Sequence, residues 1–161
     1  MTGAELTAAE QHAITEAERI ETLEGAMLQL PQVECPVEHI FGPGLYIRQI
    51  SVKAGTLVVG HRHRQAHTNM LLRGSMLIAD EQGVTRIDAP MVWIATPGRK
   101  VFLMLEDGIF QNLYPTELTD PDAIEERFIE HSDTWVAHQE TKALVDRLHT
   151  AALSDTSTCE E

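Results

Sequence analysis

The chain is poor in cysteine, poor in basic residues and free of long apolar runs, and each shortage excludes something. Cys35 and Cys159 are the only cysteines. They lie far apart and form no Cys-x-x-Cys pair, so neither a disulfide framework nor a dithiol or zinc motif is expected, and a reducing compartment is. Twelve lysines and arginines stand against 25 aspartates and glutamates, for a net charge of -13. That balance argues against a protein that grips a phosphate backbone. No apolar stretch reaches the roughly 20 residues of a membrane helix. The opening MTGAELTAAEQ is polar and acidic and does not read as a signal peptide. A cytoplasmic protein is expected, with neither nucleic acid nor membrane as partner.

Hydrophobic residues make up 43% of the 161 positions, enough for one domain to bury a core without disulfide staples. The acidic charge sits at the ends. Residues 1–30 hold six acids and one base, residues 31–115 seven acids and eight bases, and residues 116–161 twelve acids and three bases. Such flanks suit solvated helix faces, or partners for arginines of the middle or of a neighbouring subunit.

The flanks have helical patterns and the middle does not. In residues 1–31, TAAE (Thr7 to Glu10) has capping-box spacing, and Ile14, Ala17, Ile20, Leu23 and Met27 follow as an apolar stripe that Pro31 ends. Within 32–116 the pattern changes to eight short β runs: 45–52, 56–63, 67–73, 75–80, 84–89, 90–96, 100–106 and 109–115. Tight turns without crossover helices imply an all-β antiparallel sandwich or barrel. Over 117–150, Asp120 and Pro121 open a helix, PDAIEERFIEH, and a second runs from Asp133 to about His149 with Trp135, Leu144, Val145 and Leu148 as apolar anchors. Residues 151–161 read as a flexible polar tail.

The chemistry concentrates in GHRHRQAH, residues 60–67. On a strand, His61 and His63 share one face, and Arg62 and Arg64 take the other. His67 follows a short connection that carries it back beside them. Three neutral imidazoles on one side of a first-row metal would leave positions open for water or substrate.

The wider spacing is Gly55, five residues, His61, one residue, His63, three residues, His67, six residues, Gly74. This resembles the first motif of the cupin superfamily, the RmlC-like jelly rolls, with His67 where that motif has a glutamate. The resemblance implies a cupin double-stranded β-helix with an N-terminal helix and one or two C-terminal helices. It also implies that His61, His63 and His67 point into the barrel and converge on one divalent transition metal: zinc, iron, nickel or manganese. The family's second motif is degraded: after the turn TPG (96–98), counting on places Val101 at the fourth-ligand position, which leaves a three-histidine site. The stretches LPQVECPVEHIFGPGLYIRQISVKAGT, APMVWIATPGRK and QNLYPTE further resemble small cupin-domain proteins encoded by tailed bacteriophages. That likeness implies an accessory role in the host cytoplasm or assembly into the virion, with other phage structural proteins as partners. Cupin arms and sheet edges commonly pair, so a homo-oligomer is expected.

Three functions follow as expectations: a metal-binding structural or accessory protein; a small metal-dependent enzyme (dioxygenase, isomerase or hydrolase) on a small polar or anionic molecule; and a metal-free small-molecule binder. No catalytic residue stands out. Asn69 shares the inward face with His67 and Leu71, while Glu106 and Gln111 are further candidate pocket residues, with Asn112 beside Gln111 on the same strand. Met70, Met76, Met91 and Met104, with Trp93 and Phe102, read as core, Cys35 as structural, and His131, His138 and His149 as solvated helix positions.

Overall fold

The computed structural model describes residues 8–80 and 83–155. Thr7 of the expected capping box and the tail beyond Asp155 lie outside the described residues, as do the side chains of Glu10 and Ile14. Helix α1 (Ala8–Leu28) leads into β1 (Val37–Gly42), β2 (Leu45–Val52), β3 (Leu57–Val59), β4 (Arg62–His63), β5 (His67–Arg73) and β6 (Ser75–Asp80). There follow β7 (Gly83–Asp88), β8 (Met91–Ala95), β9 (Val101–Met104), β10 (Gly108–Pro115), α2 (Pro121–Phe128), β11 (Ile129–Glu130) and α3 (Asp133–Asp155).

The strands form two facing antiparallel sheets, in the order β1-β2-β10-β5-β8 and β3-β9-β6-β7. Leaving aside the edge hairpin strand β1, the β6–β7 hairpin and the short β4, which pairs with β11, consecutive strands alternate between the sheets as in a jelly roll. The fold is therefore the expected double-stranded β-helix. Gly74, which closes the histidine-glycine motif, explains one tight corner. Its φ is +88°, and a Cβ there would sit 2.8 Å from the Asp107 carbonyl oxygen. Only glycine fits that approach between the β5–β6 and β9–β10 turns.

Alternation along the strands fills the interior. Ile50, Val52, Leu71, Met76, Ile78, Ile87, Phe102, Met104 and Phe110 make one apolar cluster, and Trp93 and Cys35 pack against it. Met91, expected as core, instead lies 46% exposed at the start of the edge strand β8. A second cluster of Tyr46, Tyr114, Ile124 and Phe128 forms where α2 lies over one end of the barrel.

The helical flanks are tied to that same end. Arg99, in the β8–β9 loop, forms a nearly dry ion pair with Glu24 of α1 and donates through Nε to the Gly60 carbonyl at 2.7 Å. The second Glu24 oxygen accepts from Ser132 Oγ at 2.5 Å, and Ser132 Oγ accepts from the Trp135 N–H in the first turn of α3. One carboxylate thus joins the N-terminal helix, the barrel and the C-terminal helix.

The helix expected over 121–131 stops at Phe128. Ile129 turns extended, at φ -116° and ψ 148°, and β11 pairs with β4, placing Ile129 opposite His63. On this side β4 has no other strand neighbour among the described residues, and this pairing satisfies its backbone groups. His131, expected on a helix, therefore lies between β11 and α3. Helix α3 runs past His149 to Asp155. No helix among the described residues is long and apolar enough to cross a membrane.

Candidate functional site

The polar end of the barrel is built by the same alternation that builds the core. Inward positions on β5 are His67, Asn69 and Leu71; on β10 they are Tyr114, Asn112 and Phe110; on β2, Tyr46, Arg48 and Ile50. All of these but Leu71 line a cavity of about 240 Å³, together with His39, His61, His63, Lys100, Phe102 and, from α2, Glu125 and Phe128. All three sequence-singled histidines therefore face one space. His63 is fixed most firmly: its backbone pairs with Ile129 on one side and exchanges two 2.9 Å hydrogen bonds with Gly98 on the other.

The side chains are held by specific partners. Asn112 Nδ2 donates to Asn69 Oδ1 at 2.8 Å, from directly opposite positions on β10 and β5. His63 Nδ1 shares a 2.9 Å hydrogen bond with the Tyr114 hydroxyl, and His39 Nδ1 shares one of 2.7 Å with the Tyr46 hydroxyl. His67 Nδ1 donates to the Gln65 carbonyl at 3.2 Å, which leaves Nε2 as the acceptor of a neutral ring. His63, His67 and Tyr114 stack in near-parallel planes, with the two imidazole centroids 3.9 Å apart.

Electrostatics keep these groups uncharged. Burial, reinforced by the neighbouring His67, pushes His63 down to about 3. Burial, then His131, lowers His61 to about 4, and burial also lowers His67. Tyr46 and Tyr114 are both raised by burial, so their hydroxyls stay protonated. Against this neutral lining stand the Arg48 guanidinium and the Lys100 ammonium, the latter donating to the Thr96 carbonyl at 2.9 Å.

The three histidines do not act alike. His63 and His67 lie with planes only 15° apart. An imidazole offers its lone pair in the ring plane, and two such planes do not meet near the rings, so this pair as placed does not aim at one ion. His61 turns away from the stack toward the helical flank. Its ring meets His131 edge to face, at 4.5 Å and 68°, and Trp135 at 5.0 Å and 82°. The ligating atoms that all lie within 4.8 Å of one another, among the described residues, are those of His61, Glu125 and His131.

Other expected positions fall elsewhere. Gln111 is buried on the opposite face of β10, donating to Gln49 Oε1 at 2.6 Å, and does not line the cavity. Glu106 is exposed at the apolar end, its N–H bonded to the Ser75 carbonyl. Val101 is not the inward residue of β9. Phe102 and Met104 are, at 7% and 0% exposed, and Phe102 lines the cavity. No imidazole stands at either position, so β9 supplies no fourth ligand. Arg62, Arg64 and Arg73 are exposed, and Arg64 pairs with Glu130 of the acidic flank at 3.7 Å. Burial raises the Cys35 thiol, which fits a structural residue.

No family model and no curated protein matches the chain. Solved structures do resemble it. KdgF from Halomonas sp. is 15% identical, with 58% of this chain and 88% of that one covered and a TM-score of 0.46. A cupin superfamily protein from Desulfitobacterium hafniense DCB-2 is 8% identical over 58% of this chain and 87% of that one, at a TM-score of 0.45. A cupin-2 domain containing protein from Shewanella frigidimarina is 10% identical over 58% and 91%, at 0.41. At these values nothing about activity passes to this chain, and the jelly roll rests on its own strand order.

Glu125 and His131 carried no signal in the sequence. They belong to a flank whose composition reads as helix surface, and only the β4–β11 pairing brings that flank to His61.

Proposed function

We propose that the chain is a jelly-roll binding protein whose cavity takes a small anionic molecule. Arg48 carries the reading. In a chain with 25 acids to 12 bases, this arginine lines the cavity with no ion-pair or hydrogen-bond partner among the described residues. Glu125, the acid in the lining, is engaged with His131 Nε2 at 2.8 Å. A guanidinium beside neutral imidazoles, tyrosine hydroxyls and an amide pair suits a carboxylate or similar oxyanion. Binding is favoured over turnover, because imidazoles lowered this far are poor bases near neutral pH and the tyrosines hold their protons. The metal-dependent enzyme on the three motif histidines is the less supported alternative, because His63 and His67 stack with planes 15° apart and do not aim at one ion.

Isothermal titration of the full chain with malonate and with inorganic phosphate, against sodium chloride at matched ionic strength, tests this. Saturable uptake of at least one of the two is expected, and Arg48→Met is expected to weaken it at least about tenfold, as loss of a charged hydrogen bond does. Uptake unchanged by Arg48→Met, or matched by chloride, overturns it.

The sequence likeness to phage-encoded proteins supports a setting in an infected cell, as an accessory protein or a virion component. Mass spectrometry of purified virions separates the two. Self-association is supported by Val92 and Ile94, 54% and 68% exposed on the edge strand β8. Light scattering that reports a monomer at micromolar concentration would remove it.

A further inference from the structure

We propose that His61, Glu125 and His131 form a binding site for one divalent transition metal, zinc fitting best, at the seam between the barrel and its C-terminal flank. This is a different site from the three-histidine one that the motif implies, sharing only His61, and it does not depend on the anion reading.

Four observations carry it. First, the three ligating atoms already lie within 4.8 Å of one another. Two ligands on a tetrahedral zinc stand about 3.4 Å apart, given bonds of about 2.0–2.1 Å, so small side-chain rotations complete the set. Second, the two imidazole planes cross at 68°, so their lone pairs can point to a common position, which the 15° stack of His63 on His67 does not allow. Third, His61 Nδ1 is buried with no hydrogen-bond partner. A buried imidazole nitrogen without a partner is unusual in a folded protein and wants an explanation, an ion among them. Fourth, the carboxylate matters chemically. Two imidazoles and one glutamate form a donor set that zinc commonly takes, and the glutamate offsets part of the ion's charge.

The placement also gives the ion a mechanical role. His61 precedes β4, Glu125 belongs to α2, and His131 joins β11 to α3. A metal there would fasten α2 and the start of α3 across the cavity mouth, where Glu125 already forms part of the lining. The site would keep a fourth position open, toward water or toward whatever enters the cavity.

The test uses the full chain, stripped with chelator, dialysed and titrated with Zn²⁺ alone, with cobalt(II) absorption as a second readout. One zinc per chain is expected, with visible bands of tetrahedral cobalt. Glu125→Gln and His131→Gln are each expected to weaken zinc at least about 100-fold, since even residues that only support a ligand cost 10–100-fold. His67→Ala is expected to leave stoichiometry and spectrum unchanged. Glu125 is exposed, so its substitution keeps the test interpretable if a histidine variant misfolds; circular dichroism checks each. Zinc lost in His67→Ala but kept in Glu125→Gln would return the metal to the motif histidines and overturn the proposal. Absence of zinc binding in the unaltered chain would overturn it outright. Neither outcome touches the Arg48-dependent anion uptake, which is measured without metal.

Discussion

Followed inward along β5, the side chains run His67, Asn69, Leu71; along β10 they run Tyr114, Asn112, Phe110; along β2 they run Tyr46, Arg48, Ile50, Val52. Each strand is polar at one end of the barrel and apolar at the other, and the change falls at the same level on all three. The apolar end is closed by packing: Leu71, Met76 and Met104 are wholly buried. The polar end holds the cavity and is fastened instead by helices, through Glu24, Arg99 and Ser132, and by the short β4–β11 pairing. One end therefore derives its stability from area removed from water, the other from a few directional contacts. The site belongs where packing gives way, because a cavity can exist only where side chains do not fill the interior.

Removing the fastening should have the largest effect. Arg99→Met leaves the Glu24 carboxylate, 4% exposed, without its cation. Breaking a buried pair from one side costs about 3–5 kcal/mol. Urea unfolding followed by circular dichroism should show the midpoint fall accordingly. A loss below about 1 kcal/mol would mean that the flanks contribute little to holding the polar end.

Next comes the apolar end. Leu71→Ala opens a void among Met76, Phe102, Met104 and Phe110 and should cost about 2–5 kcal/mol. Anion uptake by the folded variant should be unchanged, since Leu71 does not line the cavity. If uptake falls together with stability, the two ends are not independent.

How much of this was legible in the sequence depends on whether a feature is local. Most strands from Leu45 to Pro115 were readable because turns and period-2 alternation are local properties, and Gly74 marked a corner that admits no side chain; the expected run 56–63 is instead two strands, β3 and β4, with Gly60 and His61 between them. Strand β1 was missed because every residue in it is exposed and it carries no alternation of burial. Strand β11 was missed because Ile129 and Glu130 continue a helical pattern until β4 captures them. Counting on from the TPG turn gave Val101, whereas Phe102 is the inward residue of β9; both are apolar, so residue type does not say which faces in. His61, His63 and His67 line one cavity, but their roles were not readable. Whether an imidazole stacks or turns outward is decided by Tyr114 on one side and by His131 and Trp135 on the other, which sequence spacing does not reach.

The smallest effects belong to the amide pair at the level where the barrel changes character, and they give the finest test of the contrast. Asn69 and Asn112 are 3% and 6% exposed and are joined side chain to side chain. Asn112→Leu removes the donor and leaves the Asn69 carbonyl oxygen buried without it, at a cost of about 1–3 kcal/mol. Replacing both residues by leucine removes the stranded partner as well. If the pair exists for stability, the double variant should be at least as unstable as the single one. If it exists to keep this level of the cavity polar, the double variant should recover most of the lost stability, ending within about 0.5 kcal/mol of the unaltered chain, because two apolar groups of similar shape can replace a buried hydrogen bond almost without loss. We expect recovery of stability without recovery of anion uptake. That outcome would show that the polar level is retained for its chemistry, while the fold would tolerate an apolar core running the full length of the barrel.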